Sequence, residues 1–248
     1  MADGEKVAVV VAHPGHELMV YRWMELHRPL YFCLTDGSGG AGSARIQSTD
    51  RLLQRIGATS GAIHGRFSDK EAYRLILEGH VDVFVALADE LAESLAAANV
   101  TCVAGDAMEG FNPLHDVCRA LIDAAVALIA MRRGPVLRNH EFSLHGNAGT
   151  DGLVIELDPE ALDRKIAAAR GYPEMREEVE AALTRGGVAV YGTERLRPSS
   201  RRARMSEFAV TAPAYEQFGE QRVGEGRYRQ VIRYRQHVLP VLSALEGG

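Results

Sequence analysis

The chain has little of what staples, anchors or attracts. Only three of its 248 residues are cysteine, Cys33, Cys102 and Cys118. Their number is odd and no two stand at a C-x-x-C spacing, which argues against a disulfide framework and points to reduced, structural thiols in a cytoplasmic setting. Long hydrophobic runs are missing as well. No stretch approaches the ~20 apolar residues that a membrane-spanning helix needs, and residues 1–11 lack the charged start, apolar core and small-residue cleavage site of a secretory signal. Positive charge is not in excess either: 28 Lys and Arg stand against 33 Asp and Glu, a formal net charge of −5. Such a balance gives no general field for nucleic acid or an anionic membrane, so neither is an expected partner. There is no internal repeat and no low-complexity tract.

What is present is ordinary globular material, 46% hydrophobic and 25% charged, in a length that suits one α/β domain over residues 1–248. A homo-oligomer stays open. Residues 6–12 (KVAVVVA) form a valine-rich run that stops at His-Pro-Gly, as a buried parallel strand feeding a loop would. A mixed helix-compatible stretch (18–26) follows, then a second buried strand (29–35) that ends in a glycine-rich loop (36–43). An amphipathic helix (45–56) stops at Gly57. Strands are expected at 60–64, 81–86 and 100–104, with helices at 89–98 and 117–130. Alternation of this kind predicts a three-layer, Rossmann-like α/β fold with a mostly parallel sheet and right-handed crossovers. Further on, an alternating run (153–157) and two helices (158–170 and 174–183) add to the same unit. From about residue 186 the text changes, and residues 195–204 carry five arginines in ten positions. That segment reads as a solvated face or as a surface for an anionic substrate or partner.

In open parallel sheets ligands bind outside the carboxyl ends of the strands, which selects the loops 12–17, 36–43 and 105–116. His13 and His16 lie three apart on a turn that Gly15 permits, and His115 opens a later helix. Three imidazoles plus an open position for water is the ligand set of a catalytic zinc.

Ala12-His13-Pro14-Gly15-His16-Glu17 resembles the Ala-His-Pro-Asp-Asp-Glu signature of the LmbE/PIG-L family of zinc-dependent de-N-acetylases. Asn112-Pro113-Leu114-His115 resembles that family's later His-Pro-Asp-His element. Thr35-Asp36-Gly37, the helix from Arg45 to Leu-Gly-like Ile56-Gly57, Ser68-Asp69, and Lys165 followed by Tyr172 also resemble family features, in order, over roughly residues 6–185. The resemblance implies that His13, His16 and His115 hold Zn2+ or another divalent metal, and that the substrate is a small N-acylated molecule, such as an amino sugar, whose N-acyl group is hydrolysed. It also implies that Glu17 is a bracing carboxylate, and Asp106 and Glu109 are candidates for the same work.

Two departures matter. His16 replaces a carboxylate ligand by imidazole, which removes a negative charge and leaves a bound metal more electrophilic. Gly15 stands where the family has its general base, so another group must supply it, or metal-activated water must suffice, or hydrolysis is lost. Asp36 and Asp116 are the candidates for a substitute base. His140 and His145 are candidates for stabilising the oxyanion, with His145 carried forward as the catalytic candidate. On this reading Gly15→Asp should raise hydrolysis. Two other readings compete: a metal-binding protein on the same fold without catalysis, and a nucleotide- or S-adenosylmethionine-binding Rossmann protein using the glycine loop, which follows the second strand instead of the first.

Overall fold

The structure, a computed structural model, describes residues 5–39, 44–134, 136–144 and 151–247. Seven strands form one mixed sheet in the order β3-β2-β1-β4-β5-β7-β6. They are β1 (Val7–Val11), β2 (Leu30–Thr35), β3 (Thr59–Phe67), β4 (Cys102–Asp106), β5 (Arg138–Phe142), β6 (Leu153–Glu156) and β7 (Thr193–Pro198). The first five run parallel, and β7 joins β5 and β6 antiparallel.

Every residue of β1 is buried, because helices cover both faces of the sheet. Val7, Val9 and Val11 point into one core, together with Trp23, Leu52, Leu53 and Ala169. Those come from α1 (Tyr21–His27), α2 (Ile46–Ile56) and α6 (Pro159–Arg170). Ala8 and Val10 point into the other core, with Ile76, Leu91, Leu121 and Leu242. Those belong to α3 (Asp69–Glu78), α4 (Val81–Ala97), α5 (Pro113–Met131) and α10 (Leu239–Gly247). The period-2 alternation of a strand therefore feeds two apolar layers at once, which is why the sequence shows a continuous run of valines.

One expectation fails. Residues 81–86, read as a strand, are the first turns of α4. The β-branched Val81, Val83 and Val85 suggested a strand, but Phe84, Leu87, Ala88, Leu91 and Leu95 are buried at helical spacing, and packing on that face overrides local preference.

Three of the five arginines of residues 195–204 are paired within the fold, while Arg195 and Arg202 are exposed, as a solvated face would have them. The segment forms β7 and the start of α8 (Arg201–Phe208). Arg197 pairs with buried Glu141, Arg201 with Asp123 and Glu246, and Arg204 donates to the carbonyls of Met108 and Glu109. These side chains bind the C-terminal part to β5, α5 and the loop after β4. The remaining helices are α7 (Arg176–Gly186) and α9 (Ala214–Gly224). All three cysteines are buried free thiols. No helix among the described residues is long and apolar enough to cross a membrane.

Candidate metal centre

Strand order reverses between β1 and β4, and the loops leaving these two neighbours bring His13, His16 and His115 together. Ring centres lie 5.3 Å apart for His13 and His16, 5.2 Å for His13 and His115, and 4.5 Å for His16 and His115. Imidazoles bound at about 2.1 Å to one tetrahedral ion have ring centres roughly 5 Å apart, so the cluster has the dimensions of a ligand set. As placed, no three His, Cys, Asp or Glu side chains among the described residues form a ready metal grip. His16 and His115 pack edge to face, closer than ligands sharing an ion.

Two of the rings are held by buried carboxylates. Nδ1 of His13 lies 2.9 Å from both Asp69 Oδ1 and Thr35 Oγ1. The Thr35 hydroxyl already donates to the Ala12 carbonyl, so Nδ1 must carry the proton. Nδ1 of His16 lies 2.9 Å from Asp106 Oδ2, which also accepts the Ala12 amide at 2.8 Å. Both rings are thereby fixed in the Nδ1–H tautomer with Nε2 lone pairs available, the arrangement that orients metal-binding histidines. Burial pushes the His13 imidazole below its ordinary value, and the hydrogen bond to Asp69 opposes that shift only in part. Neutral imidazole is the form that ligates. Burial raises Asp69, but the hydrogen bond and charge of His13 and the hydrogen bond from the Gly39 amide outweigh it and hold the carboxyl well below the usual range. His115 sits in the first turn of α5, whose N-cap Asn112 accepts the Leu114 amide at 2.9 Å.

Glu17 is fully buried and braces the turn. Its two oxygens accept the Gly15 amide at 2.8 Å, Tyr31 at 2.9 Å, Thr49 at 2.9 Å and the Tyr172 hydroxyl. Asp106 braces His16, whereas Glu109 holds the Ser143 hydroxyl and the Leu144 amide. Lys165 is buried against Glu194, which also caps the Arg22 and Trp23 amides at the start of α1.

The candidates for acid–base work are separated. Asp36 accepts the Ser38 amide at 2.8 Å, and its loop lies on Pro14, close enough that a Cβ at Gly37 would come within 2.9 Å of that ring. Asp116 is buried, with Oδ1 accepting the Glu109 and Gly110 amides. Burial raises it to about 7 against the pull of those amides, and its field is felt by Tyr215 and Tyr234 of the C-terminal part. His140 lies on β5 beside Cys102, with Nδ1 3.5 Å from the thiol sulfur. His145 and residues 40–43 of the glycine loop fall outside the described residues.

Gly15 adds a cost to one expectation. Its φ is +104°, and a Cβ built there would meet Met175 Sδ at 2.5 Å. A side chain at this position is strained by the backbone and must displace a flexible thioether, so Gly15→Asp is not a simple restoration of a base. Sequence reading missed three participants: Asp69 as the partner of His13, Met175 over Gly15, and Tyr73. Tyr73 accepts from Asn112 Nδ2 at 2.7 Å and has its hydroxyl 3.5 Å from His13 Nε2. Asp69 and Tyr73 lie four apart on α3, so one helical face addresses both nitrogens of the same ring. That spacing was visible in the sequence; its target was not.

No family model and no curated protein matches the chain. Solved structures do match in fold. The zinc-inhibited form of teicoplanin deacetylase Orf2 superposes with a TM-score of 0.51 at 13% identity, covering 79% of this chain and 99% of that one. A deacetylase of the A40926 pseudoaglycone, Dbv21, gives 0.52 at 18% identity over 79% and 97%. A conserved protein of Thermus thermophilus gives 0.50 at 15% over 78% and 94%. At these identities the likeness establishes the fold.

Proposed function

We propose that the chain is a metal-dependent hydrolase that removes an N-acyl group, an acetyl in the simplest case, from a small molecule such as an amino sugar. The observation that carries this reading is the pair of carboxylate-braced histidines, His13 on Asp69 and His16 on Asp106, beside His115 at the sheet's reversal point. Deacetylases among the structures of the same fold support it, as does the LmbE/PIG-L-like order of motifs. The three imidazoles would hold Zn2+ or a similar ion, and a bound ion of that kind supplies Lewis acidity and activates water near neutral pH.

The chain's own residues do the rest. Asp69 and Asp106 aim both rings, each accepting at Nδ1 and leaving Nε2 toward the site. Glu17 fixes the Gly15 turn. Of the two aspartates considered for general base, Asp36 accepts the Ser38 amide in the loop that follows Thr35, while Asp116 is committed to the amides of the loop after β4. The full chain acts as one unit, because Arg204 and Tyr215 tie the C-terminal part to the loop that precedes His115.

Zinc analysis of protein purified without an affinity histidine tag, followed by amine release from a panel of N-acetyl sugars and small N-acyl amines, tests the proposal. About one zinc per chain with amine release supports it. One specific observation favours a second reading: no carboxylate stands at position 15 of the turn, where the glycine has φ +104° and Met175 occupies the adjoining space. One zinc per chain with no amine release from any substrate would move the conclusion to a metal-dependent binding protein.

A further inference from the structure

Among the described groups near the three imidazoles, Tyr73 presents a hydroxyl whose proton has no use in holding the fold. The Asn112 side chain cannot be turned around: its Oδ1 is committed to the Leu114 amide as the N-cap of α5, so the group facing Tyr73 is the Nδ2 donor, at 2.7 Å. Tyr73 oxygen therefore accepts from Asn112, and its own proton points along the remaining direction, toward His13 Nε2 at 3.5 Å. A phenol keeps its proton at neutral pH, so Tyr73 is a donor. Asp69, one helical turn earlier, holds the opposite nitrogen of the same imidazole. Once Nε2 is committed to an ion, the phenol proton is left for an oxygen brought to that point by a ligand.

We infer that Tyr73 is the oxyanion donor of the site and that Asn112 is its positioning residue. The inference rests on the hydrolase reading proposed above. In hydrolysis the water oxygen bonds to the acyl carbon and the carbonyl electron pair moves onto oxygen. Tyr73 donates a hydrogen bond to that developing negative charge and keeps its proton. The C–N bond then breaks, nitrogen takes the electron pair and a proton that came from the water, and carboxylic acid and amine leave. A donor preset by Asn112 needs no reorganisation as the charge appears, which is where such groups gain their effect. Of the two histidines that the sequence offered for this role, His140 faces Cys102 on β5, and His145 lies outside the described residues.

The test compares wild type, Tyr73→Phe and Asn112→Ser, the last keeping an N-cap while losing the donor to Tyr73. Zinc content, calorimetric affinity of the zinc-loaded proteins for methylphosphonate (a tetrahedral anion) and for acetate (a planar one), and kcat and KM are measured on each. Tyr73→Phe is expected to retain full zinc, to keep acetate affinity within about twofold, and to weaken methylphosphonate about 10–100-fold. Its kcat should fall about 10²–10³-fold with little change in KM. Asn112→Ser should fall between it and wild type. Methylphosphonate affinity and kcat unchanged in Tyr73→Phe would overturn the inference, and so would a loss of zinc that matches the loss of activity, which would make Tyr73 part of the metal grip. A wild type inactive on every N-acyl compound, yet losing methylphosphonate preference with Tyr73→Phe, would sink the hydrolase reading while supporting the donor role.

Discussion

Replacing Gly15 by aspartate separates two views of this site. If only a carboxylate were missing, the variant should gain about 10²–10⁴-fold in hydrolysis, the usual contribution of a general base. The structure attaches a cost in stability to that gain. A backbone held at φ +104° lies where a residue with a Cβ is strained, and that strain costs on the order of 1–3 kcal/mol. The new Cβ also begins 2.5 Å from Met175 Sδ and 3.1 Å from its Cε. Because the thioether is flexible and half-buried, its displacement adds only about 1 kcal/mol, the low end of overpacking costs. The sum, about 2–4 kcal/mol, corresponds to a fall in melting temperature of roughly 5–15 °C for a chain of this size. Met175→Ala removes the steric part and leaves the backbone part, so the double variant should recover about 1 kcal/mol relative to additivity. Thermal and urea unfolding of the four proteins of this cycle, with single-turnover rates on an N-acetyl substrate, provides the measurement. Gly15→Asp as stable as wild type and at least tenfold faster would refute the reasoning and show that the turn relaxes freely.

Other outcomes follow from the same geometry. His13→Ala, His16→Ala and His115→Ala should each lower zinc content from about one per chain to a small fraction; full occupancy in His16→Ala, by elemental analysis, would remove that imidazole from the ligand set. Asp106→Asn should weaken zinc about 10–100-fold in a chelator competition, since His16 loses its carboxylate brace, and unchanged affinity would show that Asp106 serves only the Ala12 amide. Burial lowers His13, His27 and His140 from the ordinary 6.5. Below 6.5 the unfolded chain then binds more protons than the folded one, so this stability is complete above that pH and is lost as pH falls toward the folded values. Asp116, raised to about 7, acts in the opposite sense but is common to both proteins, so between pH 7 and pH 5.5 the melting temperature of metal-free wild type should change less favourably than that of His13→Asn; parallel profiles would contradict the assignment. Thiol titration after denaturation should find three reactive groups, Cys33, Cys102 and Cys118, and fewer would reveal a disulfide that the structure lacks.

Elements whose physics is local were legible in the sequence. The valine run of β1, the stop at Gly57 after α2, and the alternation of strands with helices each follow from hydrophobic periodicity and chain punctuation, and they suffice for a parallel α/β sheet. They also suffice to group His13, His16 and His115, since ligands of such sheets gather at strand ends. Residues 81–86 mislead because a short β-branched run looks the same in a strand and in a helix until something packs on it. The pairing of Arg197 and Arg201 was not legible because a cation's role depends on where the carboxylates are, and Glu141, Asp123 and Glu246 come from remote parts of the chain.

Which carboxylate holds which imidazole is set by packing alone. Asp69 lies 56 residues from His13, and Asp106 lies 90 from His16. The two glutamates and two aspartates near the signature are chemically interchangeable until packing gives each a distance and a direction. The same holds for Tyr73, Asn112 and the thioether over Gly15. A hydrogen bond or a steric wall is defined within a few tenths of an ångström, and that scale is set by how helices and loops distant in sequence settle against the sheet, which no local pattern encodes.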